Sequence, residues 1–83
     1  MSTFDKLLQR LRSLDKNLRF EELASVLTKY GYQMRFPSGG SSHATFRKKG
    51  REPITIPRHR TIDKVYVEIV KRAVESEENN EDD

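Results

Sequence analysis

Between residues 32 and 57 the apolar side chains recur at every second position; on either side of that segment they recur at every third or fourth. A strand repeats its face every two residues and a helix about every 3.6, so the chain divides into helices flanking a short sheet. Phe4, Leu7, Leu8 and Leu11 form one helical stripe, predicting a helix over about residues 2–13 with Ser2 as its cap and Asp5 in its first turn. Phe20, Leu23, Ala24 and Leu27 repeat the spacing, widened by Val26 and Tyr30, and predict a second helix over residues 20–30. Glu21 and Glu22 suit the positive end of that helix and Lys29 its negative end, and Gly31 suits the left-handed residue that ends it.

The period-two segment contains three strands. Tyr32, Met34 and Phe36 alternate with Gln33 and Arg35, and Pro37 ends the ladder because it has no amide to donate. Residues 38–42 are a loop by composition. In His43-Ala44-Thr45-Phe46-Arg47, burying Ala44 and Phe46 forces His43, Thr45 and Arg47 onto the opposite, open face. After a Lys49-Gly50-Arg51-Glu52 turn, Ile54 and Ile56 point inward and Thr55 outward, with Pro53 and Pro57 confining the strand to an edge. Beyond Arg60, capped by Thr61 or Asp63, the positions Ile62, Val65, Tyr66, Ile69, Val70, Ala73 and Val74 predict a last helix facing the core. Their β-branched side chains argue for a strand, but the length of the pattern decides for helix. The order α-α-β-β-β-α is an α+β fold of two layers: a three-stranded antiparallel sheet with helices on one face and Gln33, Arg35, His43, Thr45, Arg47 and Thr55 on the other.

Eighty-three residues with 34% hydrophobic content make one thin core, and the absence of cysteine removes disulfides and thiolate zinc sites as supplements. No apolar run approaches membrane-spanning length and no signal-peptide core opens the chain, which predicts a cytoplasmic protein with no membrane association. The net charge of +3 conceals an asymmetry: residues 75–83 carry six acidic side chains and no basic one, which leaves 16 basic and 7 acidic residues, a net of +9, over residues 1–74. Residues 1–74 therefore form one domain with an additional N-terminal helix, and residues 75–83 are expected to be an acidic, disordered tail. From Arg35 to Arg60 there are seven bases and a single acid, Glu52, the footprint of a polyanion binder. A solvated basic surface is the plainer alternative.

His43 is the residue with chemistry to offer. Its imidazole exchanges a proton near neutral pH, and it sits beside a Gly/Ser loop whose amides can cradle an anion. On an RNA phosphodiester it would take the proton from a 2′-hydroxyl, while cations stabilise the charge growing on the phosphoryl oxygens. The candidates for RNA and phosphate contact are Ser42, Thr45, Arg47, Lys48, Lys49, Arg58 and His59. His59 can also be imagined as the acid that protonates the leaving oxygen. An ordinary surface histidine beside a solvated turn stays open as an alternative reading of His43. No metal site is expected, because Glu52, Asp63 and Glu68, the acids between the second helix and the tail, do not converge. Gly39-Gly40 lacks the Lys-Ser/Thr continuation of a nucleotide-binding P-loop.

Tyr30-Gly31-Tyr32, Ser41-Ser42-His43-Ala44-Thr45-Phe46 and Ile54-Thr55-Ile56-Pro57-Arg58-His59, in that order and spacing, resemble the HicA family of toxins, the mRNA-cleaving half of HicA–HicB toxin–antitoxin systems. The resemblance covers about residues 20–74. In the family a glycine stands just before Ser-His; here Ser41 holds that place and the glycines are Gly39 and Gly40. The resemblance implies a fold like a double-stranded RNA-binding domain, a metal-independent endoribonuclease (an mRNA interferase) needing no cofactor, with its essential histidine at His43, and inhibition by a HicB-like antitoxin. A non-catalytic RNA-binding module on the same basic face is the alternative function.

Overall fold

The computed structural model describes residues 3–36 and 43–79. Its elements run α1 (Thr3–Arg12), α2 (Phe20–Lys29), β1 (Gln33–Arg35), β2 (His43–Arg47), β3 (Ile54–Pro57) and α3 (Lys64–Asn79), the expected α-α-β-β-β-α order of an α+β fold. The strands form one antiparallel sheet in the order β1-β2-β3. This order and layering are consistent with a fold like a double-stranded RNA-binding domain. Ser2, Pro37 and the loop residues 38–42, Ser42 among them, lie outside the described residues, as do residues 80–83 of the acidic tail. Among the described residues no helix is long and apolar enough to cross a membrane.

Both N-terminal helices end through left-handed residues. Gly31, at φ +97°, lets the Tyr32 amide donate back to the Leu27 carbonyl at 3.1 Å. At the end of α1 the same role falls to Leu14, at φ 57°, with the Asp15 amide donating to the Arg10 carbonyl at 3.0 Å. The Arg10 guanidinium then donates to Asp15 at 2.9 Å and to Glu22 at 2.6 Å, tying the α1–α2 connection to the first turn of α2. Glu22 also accepts the Arg19 amide at 2.9 Å, satisfying a donor that the start of a helix leaves without a partner.

The core lies between the helices and the inward face of the sheet. Phe46 and Ala44 on β2 are buried with Ile54 and Ile56 on β3, against Leu11, Leu23, Val26, Leu27, Val67, Val70 and Val74. Phe46 meets Phe20 of α2 with ring centroids 6.2 Å apart. Leu11 is the buried residue of α1, with Phe4, Leu7 and Leu8 half-buried around it.

The structure differs from the periodicity in three places. On α3 the buried line is Val67, Val70 and Val74, whereas Val65 and Ile69 are exposed. So many apolar residues occupy this helix that two overlapping stripes satisfy the spacing, and packing against α1, α2 and β3 selects between them. Around β1, which is shorter than the alternation suggested, Tyr32 just before it is buried as expected, but Met34 within it and Phe36 just after it are 39% and 48% exposed. Met34 does pair with Phe46 on the inward face, yet β1 is an edge strand and the helices do not cover its far end. Finally, α3 continues through residues 75–79, where fraying was expected. Arg51 donates to Ser76 at 2.9 Å and to Glu77 at 2.6 Å, Lys48 pairs with Glu77, and Arg12 donates to Glu78 at 2.5 Å. The acidic start of the tail is held by the bases it faces.

Candidate RNA-processing site

Strand register builds the open face of the sheet. Arg35 lies opposite Thr45, Gln33 opposite Arg47, and Thr55 opposite Thr45 on the other side. His43, at the first position of β2, lies opposite Pro57, the last residue of β3. His43, Arg47 and Thr55 are exposed and Thr45 is half-buried, as the alternation requires. The inward burial of Ala44 and Phe46 fixes this arrangement, because a one-residue slip would turn both into water.

His43 and His59 line one open cavity of about 480 Å³, together with Pro57, Thr61, Asp63 and Tyr66. The chain reaches it from two directions. The start of β2 supplies His43; β3 ends in Pro57, and the segment leading to α3 carries His59, Thr61 and Asp63 past the same spot. Two imidazoles around one cavity can serve as proton acceptor and proton donor to a single substrate, provided they hold different protonation states. A carboxylate, a hydroxyl and a phenol on the same wall add hydrogen-bonding capacity. Asp63 also begins α3, its carbonyl accepting the amides of Tyr66 at 3.0 Å and Val67 at 3.4 Å.

The remaining expected residues separate into two groups. Arg58 belongs to the histidine end of the sheet, its guanidinium 4.6 Å from the centroid of the Phe36 ring. Lys48 and Lys49 belong to the opposite end, at the β2–β3 turn. Five residue steps at about 3.4 Å each put Lys48 roughly 17 Å along the strand from His43, too far to touch the same phosphate. Lys48 is moreover engaged within the fold: its ammonium donates to the Tyr30 carbonyl at 2.7 Å, pairs with Glu77 and lies over the Tyr32 ring. Lys49 is exposed, and Arg47 lies exposed on the open face.

Asp63 and Tyr66 are residues that the sequence reading left out of the site. Period and charge alone could not find them, because they reach the cavity only through the path of the 58–63 segment. Arg35 was legible as outward-facing, but its place beside Thr45 depends on register. Among the described residues no three His, Cys, Asp or Glu side chains are grouped so as to hold a metal ion.

Residues 20–74 match the sequence model of a family described as the HicA toxin of bacterial toxin–antitoxin systems. That span begins at α2 and includes all three strands, the histidine cavity and most of α3, and it leaves α1 outside. Neither curated proteins nor solved structures give a match to this chain.

Proposed function

The chain belongs to the HicA toxin family and is the toxin of a toxin–antitoxin system; on that premise we propose that it is an endoribonuclease that cleaves mRNA with histidine acid–base chemistry, in the cytoplasm, until a HicB-type antitoxin covers the site. The observation that carries the reading is the single cavity lined by both His43 and His59.

His43 in its neutral form accepts the proton of a ribose 2′-hydroxyl, and the freed oxygen attacks the adjacent phosphorus. The bond from phosphorus to the 5′-oxygen breaks. His59, protonated, gives its proton to that leaving oxygen. The products are a 2′,3′-cyclic phosphate and a 5′-hydroxyl, and the two histidines end with their protonation states exchanged. Arg58, beside the same end of the sheet, supplies positive charge near the phosphoryl oxygens. Thr45, Arg35 and Arg47 hold the strand along the open face, and Lys49 can meet a more distant phosphate.

The test is incubation of the purified chain with single-stranded RNA in EDTA, beside its His43→Ala and His59→Ala variants. Cleavage should vanish with His43→Ala, fall by about 10²-fold or more with His59→Ala, and stop when the cleaved nucleotide is replaced by its 2′-deoxy form. A wild-type chain that binds RNA and leaves it intact would instead make this a non-catalytic RNA-binding module. Equal cleavage by His43→Ala would remove the histidine mechanism. Addition of a cognate HicB-type antitoxin should abolish cleavage.

A further inference from the structure

A second groove adjoins the histidine cavity and contains the exposed apolar end of β1. Its walls are Arg19, Phe20 and Glu21 from the start of α2, Met34 of β1 and Phe36 just after it, and Arg58, His59 and Arg60 from the segment after β3. It encloses about 530 Å³, within the range of pockets that take small organic groups. His59 lines both spaces, so whatever occupies the groove is next to whatever His43 meets.

The composition of the groove selects its occupant. Phe36, 48% exposed, and Met34, 39% exposed, present apolar surface where a thin-cored domain has reason to bury it. The Arg58 guanidinium lies 4.6 Å from the Phe36 ring centroid, so a flat aromatic ring and a flat delocalised cation form one stacking platform. Three arginines against the single carboxylate of Glu21 give the groove a positive balance. A phosphate alone would make no use of Phe36 and Met34 and would be opposed by Glu21. An unpaired base, carried on an anionic backbone, uses the ring, the guanidinium and the surrounding charge, and its edge can hydrogen-bond to the carboxylate.

We infer that this groove holds an unpaired nucleobase of single-stranded RNA, next to the phosphate presented to His43, stacked on the Phe36–Arg58 platform. The inference rests on the ribonuclease reading for its position and on the groove's own chemistry for its ligand. Base-paired RNA cannot offer such a base, so the groove restricts cleavage to unpaired segments. His59 forms the seam between base recognition and proton transfer.

The experiment uses the full chain and two probes. The first is a short single-stranded oligoribonucleotide with the cleaved position mapped, made also as a set with an abasic residue at each position in turn. Wild type should lose about tenfold in kcat/KM at one position beside the cut, in line with the stacking of one base. In Phe36→Leu the ratio of intact to abasic rates should collapse toward one, while Phe36→Tyr keeps it. Phe36 is exposed, so the melting temperature of each variant checks that folding is unchanged. Equal ratios in wild type and Phe36→Leu would overturn the inference. So would a Phe36→Leu variant that cleaves normally and loses only antitoxin binding, since the groove would then be a protein-docking surface.

The second probe separates this failure from failure of the ribonuclease reading. His43→Ala is titrated with a non-cleavable oligonucleotide carrying 2-aminopurine beside the mapped position, or at each position in turn if nothing is cut. Quenching that disappears in His43→Ala/Phe36→Leu supports the base site even in a chain that cuts nothing. Unchanged quenching in the double variant overturns the base site even in a chain that cuts RNA.

Discussion

Replacing Glu77 with glutamine should destabilise the fold by about 2–3 kcal/mol, although the position lies in a segment that reads as a solvated acidic tail. The Glu77 side chain is 11% exposed, with Oε2 accepting the Arg51 guanidinium at 2.6 Å and Oε1 buried against the Lys48 ammonium. Hydrogen bonds to charged partners contribute about 1.5–3 kcal/mol each, and breaking a fully buried ion pair costs about 3–5. Here Lys48 and Arg51 keep roughly a quarter to a third of their side-chain surface in water, so screening pulls the figure toward the lower range. For a domain of this size about 2–3 kcal/mol lowers the melting temperature by roughly 10–20 °C. Glu78→Gln is the internal control: it removes the same charge one residue away, and its partner Arg12 is 48% exposed, so it should cost less than about 1 kcal/mol. Thermal and urea unfolding of the two variants decide the matter. If they unfold together, the Glu77 contacts contribute no more than a surface pair, and helical residues 75–79 are not anchored by charge. A cycle with Lys48→Met should recover part of the loss, because it removes one of the two cations left facing a neutral amide.

The same division of the basic residues predicts different salt responses. Arg35→Ala should weaken RNA binding and reduce the slope of log K against log salt by about one, whereas Lys48→Ala should leave that slope unchanged and lower the melting temperature. Truncating Phe46, which is fully buried, to alanine should cost about 3–5 kcal/mol, enough in a small domain to leave much of the chain unfolded in urea titrations. Burial holds the Tyr32 hydroxyl above the ordinary tyrosine range, with the Arg51 charge acting against that. A phenol whose folded value is raised contributes nothing to pH dependence below its unfolded value and removes stability as pH rises past it. Alkaline unfolding should therefore shift to higher pH in Tyr32→Phe, as followed by circular dichroism.

Local periodicity and long-range packing account for different parts of this fold. The two N-terminal helices, the three strands and the open face of β2 follow from neighbours in sequence: Phe46 must be buried, so His43 and Arg47 must be out. Gly31 was legible for the same reason, since only a left-handed residue allows Tyr32 to turn back onto α2. The burial of α3 was less so, because Val65, Val67, Ile69 and Val70 satisfy two helical stripes and only the partners across the core choose Val67. Charge was legible as an excess and not as a pattern. The basic turn and the acidic tail each looked solvated when taken alone, and they meet because α3 continues to Asn79 and brings Glu77 against Lys48 and Arg51 at the β2–β3 turn. That contact engages the Lys48 ammonium within the fold and leaves the net charge unchanged.

The functional end of the sheet shows what register adds to alternation. Alternation puts His43 on the open face but leaves it alone there, and an isolated surface histidine is weak ground for catalysis. Register sets His43 opposite Pro57, and from Pro57 two further residues bring the chain to His59, on the wall of the same cavity. The same register carries the end of β1 past the helical layer, leaving Phe36 exposed beside Arg58. The pair of histidines and the stacking platform thus have one origin: the ends of three short strands converge beside the first turns of α2 and α3. A longer β1 paired further along β2, with a helix over it, would bury Phe36 and close the groove. The shortness of the strands, three to five residues each, leaves Phe36 and His43 exposed at this end of the sheet.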